Sequence, residues 1–164
     1  MKEFLNFLDQ TALSQWVRDA PTIWAFPTIL VLHTIGMGIV AGGSAIISLI
    51  LLGFWPGAPI RPFVRAFPYM WVAFGVNAVT GTMMLMADAT NKLSTPDFYI
   101  KMVFVFVGLY LLIRMRRQVF DDPQLDQAPV SGNAKMLAWA SLACWFGAIL
   151  AGRLLAYVGP GAKP

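Results

Sequence analysis

The stretch from Ala20 to Ile60 contains no aspartate, glutamate, lysine or arginine, and this run constrains the fold more than any other feature of the chain. About 20 consecutive apolar residues are enough for a helix to cross the hydrocarbon core of a bilayer. A helix also satisfies all of its own backbone hydrogen bonds in lipid. The run therefore predicts a membrane-spanning helix, and it contains His33, the only histidine of the chain.

The composition of the whole chain is typical of a membrane protein. Only 12% of its 164 residues are charged and 58% are hydrophobic, whereas soluble domains carry about 25% charged residues. The net charge of +4 does not indicate nucleic acid as a partner, because the basic residues stand mostly at the ends of apolar runs, where they anchor helices in a lipid bilayer. Cys144 is the single cysteine, which excludes an intrachain disulfide and a multi-cysteine metal site.

The apolar segments predict an all-α integral membrane protein that forms a single domain. Apolar residues recur at helical spacing within residues 3–19, which predicts an amphipathic helix in the membrane interface. An ordinary helix packed on the bundle fits the same pattern. Four transmembrane helices are predicted to follow in a bundle, and they cover residues 24–54, 66–87, 98–115 and 136–158.

Arginine residues set the predicted orientation in the membrane. Arg61 and Arg65 follow the first span, and a second group, Arg114, Arg116 and Arg117, follows the third span. Basic residues close to span ends favour the cytoplasmic side. Both termini are therefore expected on the opposite, periplasmic side of a bacterial inner membrane.

Two polar residues are predicted to share a depth in the bilayer. His33 lies nine residues after Trp24, about 13 Å along a helix, and Asn77 lies eleven residues before Asp88, about 16 Å along a helix. Spans one and two run in opposite directions, so these distances place His33 and Asn77 at similar levels in the periplasmic half. Polar residues inside a membrane are costly and are functional candidates.

Charged residues at span ends belong to the same half of the predicted bundle. Lys101 lies near the start of span three, Arg153 lies near the end of span four, and Asp88 closes span two. A polar pocket is therefore expected around His33. Its predicted cofactor-binding residues are His33, Met37, Asn77, Asp88, Lys101 and Arg153, and its predicted metal ligands are His33 and Met37.

Helical spacing also predicts which face of each span points into the bundle, because residues three or four apart share a face. Gly38 and Gly42 form a small-xxx-small pair, a pattern that lets helices approach closely. In span one the predicted inner face carries His33, Met37, Val40, Ser44 and Ser48. In span two it carries Asn77, Thr80, Gly81, Met84 and Asp88, and in span four Ala140, Cys144, Gly147 and Ala151.

The same residues have a purely structural interpretation. A buried histidine can donate a hydrogen bond to a backbone carbonyl of a neighbouring helix, and Asn77 can stabilise the packing of the same pair. Lys101 and Arg153 can extend their charged groups to the membrane interface. His33 is then a packing residue and no pocket is needed.

Six short motifs carry a resemblance to a known family. At these motifs the chain resembles an uncharacterised family of small bacterial four-helix inner-membrane proteins, which implies architecture and location rather than an activity. More distantly, the histidine and glycines of the first span and the lysine that opens a later one resemble the membrane domains of copper-resistance D-type proteins. The motifs are WAFP at 24–27, LHTIGMG at 32–38, GG at 42–43, VNAVTG at 76–81, ADAT at 87–90 and FYIK at 98–101.

Two ligand-binding functions fit the predicted pocket. In the first, His33 ligates a b-type haem or borders a quinone, and Lys101 or Arg153 pairs with propionates or carbonyl oxygens. One histidine leaves the sixth haem position to a methionine such as Met37 or Met84, to a partner or to no ligand. In the second, His33 and Met37, with Met83, Met84 and Met86, handle Cu(I), which imidazole and thioether ligands suit.

A third hypothesis is a non-catalytic subunit that stabilises or assembles a larger membrane complex. A membrane or periplasmic protein partner, or a second copy of the chain, would then complete it. No catalytic residues are predicted, because Asp88 is the only carboxylate expected near His33 and no nucleophile is placed with the pair. Whether the chain is an enzyme stays open, and hydrolase chemistry is disfavoured.

Overall fold

A computed structural model describes residues 7–122 and 129–155 of the chain, and its elements within those ranges are helices. Four of them are long and apolar enough to cross a membrane, so the predicted all-α four-span bundle is confirmed. The elements are α1 (Ala12–Asp19), α2 (Phe26–Leu51), a 3-10 turn (Arg61–Arg65) leading into α3 (Ala66–Met86), α4 (Ala89–Lys92), α5 (Pro96–Met115) continued by a π-helical turn (Arg116–Phe120), and α6 (Gly132–Leu154).

The predicted amphipathic helix over residues 3–19 is interrupted. Residues 3–6 lie outside the described residues, residues 7–9 are helical, and a break follows at Gln10. Thr11 causes a new start, because its side chain accepts a hydrogen bond from the backbone N–H of Ser14 at 3.3 Å and caps α1. The prediction of one continuous helix is therefore wrong.

The short helix α1 packs against the end of α3. Ser14 and Val17 are buried, and the Ser14 hydroxyl donates to the backbone carbonyl of Met86. Leu13 and Trp16 on its other face are exposed. The structure therefore shows the second of the two predicted placements of this helix, in which it packs on the bundle.

Asp9 fastens the N-terminal segment to α4. Its carboxylate accepts hydrogen bonds from the backbone N–H of Ala89 at 2.8 Å and of Thr90 at 3.3 Å, and from the Thr90 hydroxyl. Burial alone would raise the pKa of Asp9, but these hydrogen bonds and the charge of Arg18 outweigh burial and lower it below its ordinary value. The ionised carboxylate is therefore the form that holds the two segments together.

Local sequence signals explain where the spans begin and end. The helix α2 starts at Phe26, two residues later than predicted, with proline in its first turn, and it ends at Leu51 before Gly53, whose φ of +87° suits glycine. The helix α6 starts at Gly132, four residues earlier than predicted, because Ser131 caps it. The predicted end of that span, residue 158, lies outside the described residues.

The helices α2 and α6 form the centre of the bundle. The helix α2 packs along α3 and α6, and α6 packs along α5, whereas α3 and α5 make at most marginal backbone contact. At the end away from His33, side chains close the space between the two outer helices, and the rings of Phe67 and Phe120 meet at a centroid distance of 5.1 Å. A cleft between α3 and α5 remains in the half that contains His33.

Glycines at two levels of α2 allow α3 to approach closely. A Cβ atom added to Gly36 would lie 2.8 Å from the backbone oxygen of Ala73, and one added to Gly43 would lie 3.1 Å from the sulfur of Met70. A Cβ atom at Gly38 or Gly42 would meet nothing within 4 Å. The predicted Gly38 and Gly42 contact is wrong, because that pair points away from every neighbouring helix.

The predicted inner face of α2 is confirmed from Val40 to Ser48. Val40, Ser44 and Ser48 are buried, and the hydroxyls of Ser44 and Ser141 form a hydrogen bond of 2.8 Å between α2 and α6. The Ser48 hydroxyl is buried without a hydrogen-bond partner among the described residues. A polar contact therefore fixes the central pair of helices midway along the bundle.

The arginine groups that follow spans one and three lie at the same end of the bundle. The turns Arg61–Arg65 and Arg116–Phe120 contact each other, and a guanidinium nitrogen of Arg61 donates to the backbone oxygen of Asp122 at 3.4 Å. Arg116 pairs with Asp121. The His33 half is at the opposite end, and its periplasmic placement stays a prediction.

Candidate functional site

His33 and Asn77 join α2 to α3 by two reciprocal hydrogen bonds. The Nδ1 atom of His33 lies 3.0 Å from the backbone oxygen of Asn77, and the Asn77 amide nitrogen donates to the backbone oxygen of His33 at 2.7 Å. The predicted common depth of the two residues is confirmed by these contacts. They also show the packing role that the structural interpretation assigns to both side chains.

The carbonyl partner determines which ring nitrogen of His33 carries the proton. A backbone carbonyl only accepts hydrogen bonds, so Nδ1 donates to the oxygen of Asn77 and the neutral ring has its lone pair on Nε2. Thr80 lies 3.2 Å from Nδ1, and its own hydroxyl donates to the carbonyl of Val76 at 2.7 Å. This arrangement, in which Nδ1–H bonds to a carbonyl, orients histidines that bind a metal through Nε2.

Gly81 makes room for the imidazole ring. A Cβ atom at position 81 would lie 2.9 Å from Cε1 of His33, which is too close for an ordinary contact. The ring therefore packs directly against the backbone of α3. Helical spacing places Gly81 four residues after Asn77, so one face of α3 provides both the hydrogen bonds and the space for His33.

A cavity of about 390 Å³, called here the head cavity, opens above the ring of His33. Three cationic residues line it, namely Lys92 from α4, Lys101 from α5 and Arg153 from α6. Among the described residues that line it there is no carboxylate. The remaining lining residues are apolar or glycine: Phe26, Leu30, Gly81, Met84, Leu85, Phe98, Gly152 and Leu155.

The two lysines of the head cavity are held by different neighbours. The stem of Lys101 packs over α6, where a Cβ atom at Gly152 would lie 3.4 Å from its Cε atom. The ammonium group of Lys92 donates to the backbone oxygen of Met84 at 3.3 Å. Burial lowers the pKa of Lys92 below its ordinary value, and the nearby charge of Asp88 opposes this shift.

A second cavity of about 270 Å³ occupies the cleft between α3 and α5 and is called here the cleft cavity. His33 and Met37 from α2 contribute to its lining, together with Asn77 from α3. Its other walls are mostly apolar. It adjoins the head cavity at shared lining residues, which are His33, Gly81, Leu85, Phe98 and Lys101.

The structure brings five of the six predicted site residues to these two cavities. His33 and Lys101 line both cavities. Arg153 lines only the head cavity, and Met37 and Asn77 line only the cleft cavity. Their predicted role in binding a cofactor stays a prediction.

Asp88 does not line the head cavity or the cleft cavity. It lines a third cavity of about 360 Å³ with Arg18 and Lys92, and its carboxylate accepts a hydrogen bond from the Asn91 amide at 2.7 Å. The chain leaves α3 at Met86, so Asp88 lies beyond the helix end and turns toward the N-terminal helix. The sequence spacing that places it on the face of Asn77 assumes a helix that continues to Asp88.

Lys92 is the charged residue of the head cavity that the sequence prediction omits. It belongs to the connection between two spans, and no predicted helix face includes it. The short helix α4 turns it back toward the bundle. Its position four residues after Asp88 is the one signal in the sequence, and that signal requires knowing that residues 89–92 are helical.

Metal-binding groups are sparse around the site. The described residues contain no group of three or more histidine, cysteine, aspartate or glutamate side chains placed to hold a metal ion. Met37 follows His33 by one turn on the same helix, so their side chains project side by side rather than from opposite faces of a ligand. Met84 comes from α3 and lines the head cavity with His33. It is therefore the methionine that shares the head cavity with the imidazole.

Comparison of the chain with protein-family models, with curated proteins and with solved structures finds no match. The resemblance to small four-helix inner-membrane proteins therefore stays a prediction. The function has to be inferred from the residues of the site, which combine one oriented imidazole, three cations and apolar walls.

Proposed function

We propose that this protein is a cofactor-binding membrane subunit whose head cavity holds the acidic groups of an amphiphilic cofactor. The observation that carries the proposal is that Lys92, Lys101 and Arg153 line one cavity with His33, without a carboxylate among the described lining residues. Lys92 and Lys101 are half-buried in an apolar setting, where a cation attracts anions more strongly than it would in water. Ligands with carboxylate or phosphate groups are therefore favoured.

A b-type haem is the first candidate. His33 presents the lone pair of Nε2 because Nδ1 donates to a carbonyl, and imidazole is a common axial ligand of haem iron. The three cations would pair with the two propionates at the head cavity. The apolar walls of the cleft cavity, which adjoin His33, would hold the apolar part of the group. Haem would supply one-electron redox chemistry to the subunit.

A quinone is the second candidate, and the single histidine supports it. A quinone needs hydrogen-bond donors rather than two axial ligands, and its carbonyl oxygens could accept from the ammonium group of Lys101. The volume of the head cavity, about 390 Å³, lies within the range of roughly 300–1,000 Å³ typical of small-molecule sites. The weakness of the quinone candidate is charge, because a neutral quinone does not require three cations.

Cu(I) is less suited to the head cavity than an anionic cofactor. The three cations that line the cavity repel a further positive charge at close range. The methionines near His33 also serve as packing residues, since Met83 and Met84 contact a buried apolar cluster around Val17. A role in packing alone, as a non-catalytic subunit, explains the hydrogen bonds of His33 but does not require three cations to line one cavity with it.

The test is an absorption spectrum of the protein purified in mild detergent, recorded oxidised and after reduction with dithionite. We expect a Soret band that shifts on reduction and corresponds to about one haem per chain. His33→Ala should lose the band. The matched control is Thr34→Ala, which alters an exposed neighbour whose hydroxyl donates within its own helix at 2.8 Å.

The outcomes separate the candidates. Colourless wild-type protein that releases a quinone into organic solvent would replace haem with the second candidate. Colourless protein that releases no cofactor, with His33→Ala changing only its stability, would overturn the proposal in favour of a packing role for His33.

A further inference from the structure

The cleft cavity is open toward the bilayer. The helices α3 and α5 make at most marginal backbone contact, and in the half that contains His33 the cleft cavity lies between them. Ala78 and Thr82 on one side and Phe106 on the other line this cavity and are also exposed on the lipid-facing surface. A molecule dissolved in the membrane therefore reaches the cavity without passing through water.

The two connected cavities differ in character. The head cavity carries the cationic groups of Lys92, Lys101 and Arg153, and the cleft cavity is walled by apolar side chains such as Met102 and Val105. Lys101 lines both, so its ammonium group stands where the polar part meets the apolar part. The two adjoining cavities, one cationic and one apolar, match a molecule with an acidic head and an apolar limb.

We propose that the site takes an anionic amphiphile directly from the bilayer, with the acidic head among the three cations and the apolar limb between α3 and α5. The proposal rests on the proposed function, which assigns acidic groups to the head cavity, and it adds the class of ligand and its route. A partner helix fits less well. An apolar transmembrane helix carries no acidic group for the three cations that line the adjoining head cavity.

The experiment uses palmitic acid with a photoreactive diazirine in its acyl chain as the probe. The full chain is reconstituted in phosphatidylcholine vesicles containing the probe, illuminated, digested and mapped by mass spectrometry. We expect labelling at Met102 and Val105, which are half-buried in the cleft cavity, that saturates with probe and is displaced by unlabelled palmitate. Labelling at the exposed, lipid-facing Val103 should stay proportional to probe concentration.

Two pairs of variants test the head and the limb separately. Lys101→Met keeps the stem but removes the charge, and it should lower the affinity for palmitate about tenfold, as expected for the loss of one charge-assisted hydrogen bond. Lys135→Met, at the other end of the bundle, should change nothing. Ala78→Trp fills the cleft cavity and should abolish the saturable labelling, whereas Val79→Trp, on an exposed neighbouring position, should leave it intact.

A final experiment distinguishes failure of this inference from failure of the proposed function. The labelling is repeated in His33→Ala, which should contain no cofactor but retains the cations and the cleft, so saturable labelling should persist and should exceed that of any wild-type protein whose bound cofactor competes for the same cavities. Either of two results would overturn the inference even if a haem is bound. In the first, palmitate displaces the labelling neither in wild type nor in His33→Ala. In the second, Lys101→Met and Ala78→Trp leave the labelling unchanged. Saturable labelling of a protein that binds neither haem nor quinone would overturn only the proposed cofactor.

Discussion

Replacing Gly36 by alanine should destabilise the packing that supports the site. The added Cβ atom would lie 2.8 Å from the backbone oxygen of Ala73 and 3.1 Å from Cβ of Asn77. The helices α2 and α3 would have to separate by roughly 0.6 Å to restore an ordinary contact. Backbone atoms cannot rotate away as a flexible side chain can, so the strain has to be taken up by the helix pair.

The magnitude follows from two opposing effects. Overpacking a close contact costs about 1–3 kcal/mol. Alanine is also favoured over glycine within a helix by about 0.5–1 kcal/mol. Gly38→Ala receives the same helical gain without a contact, because a Cβ atom there meets nothing within 4 Å. The difference between the two variants therefore isolates the packing cost, and Gly36→Ala should be less stable than Gly38→Ala by about 1–3 kcal/mol.

The assay is reversible unfolding in mixed micelles of dodecyl maltoside and sodium dodecyl sulfate, followed by far-ultraviolet circular dichroism. The free energies of unfolding of wild type and both variants are compared under identical conditions. Equal stability of Gly36→Ala and Gly38→Ala, or greater stability of Gly36→Ala, would show that α2 and α3 are not in close contact at this level. The reasoning about His33 and Asn77 would then fail with it.

Three further predictions concern polar groups. In the same unfolding assay, Ser44→Ala and Ser141→Ala should each lower the free energy of unfolding by about 0.5–1.5 kcal/mol, and the double variant should lower it by less than their sum. Ser48→Ala should be neutral or stabilising, because that hydroxyl has no partner among the described residues. Asp9→Ala should destabilise the protein at neutral pH. Since the pKa of Asp9 is lowered by folding, its contribution exists above the ordinary pKa of about 3.9 and disappears as the pH falls through the lower folded value; thermal melts of wild type and variant should converge in acid. Because burial lowers the pKa of Lys92, affinity for an acidic probe such as palmitate should fall with rising pH before the ordinary lysine pKa of about 10.4 is reached. Lys92→Arg, which stays charged, should retain affinity; a parallel loss in both proteins would contradict this.

The depth of residues in the bilayer could be predicted from the sequence. Charges at the ends of apolar runs mark where each helix meets the interface, and the constant rise of a helix then gives the level of any residue within it. His33 and Asn77 were placed together in this way, and their hydrogen bonds of 3.0 and 2.7 Å confirm it. This reasoning needs no knowledge of side-chain contacts.

The lateral order of the helices could not be predicted in the same way. Short loops require neighbouring spans to be antiparallel, but they do not say that α2 and α6 are central and that α3 and α5 leave a cleft. The choice between Gly36 and Gly38 depends on that order, because helical periodicity places small residues on more than one face of α2. The cleft cavity was therefore absent from the sequence prediction.

Connections between helices were the other source of error. Asp88 was expected to continue the face of α3, whereas the helix ends at Met86 and the chain turns into α4. The same turn brings Lys92 to the head cavity. Contacts with the N-terminal segment, above all those of Asp9, support this turn, and such contacts between distant parts of a chain leave no periodic signal in the sequence.

The central claim, that His33 and the three cations hold a cofactor, is tested most directly by native mass spectrometry of the protein released from detergent micelles. The account predicts one bound molecule per chain with the mass of a haem or a quinone in wild type and in Thr34→Ala. It predicts the bare polypeptide mass when His33→Ala and Lys101→Met are combined. Wild-type protein that shows only the bare polypeptide mass, or a combined variant that retains the same bound molecule, would contradict the account.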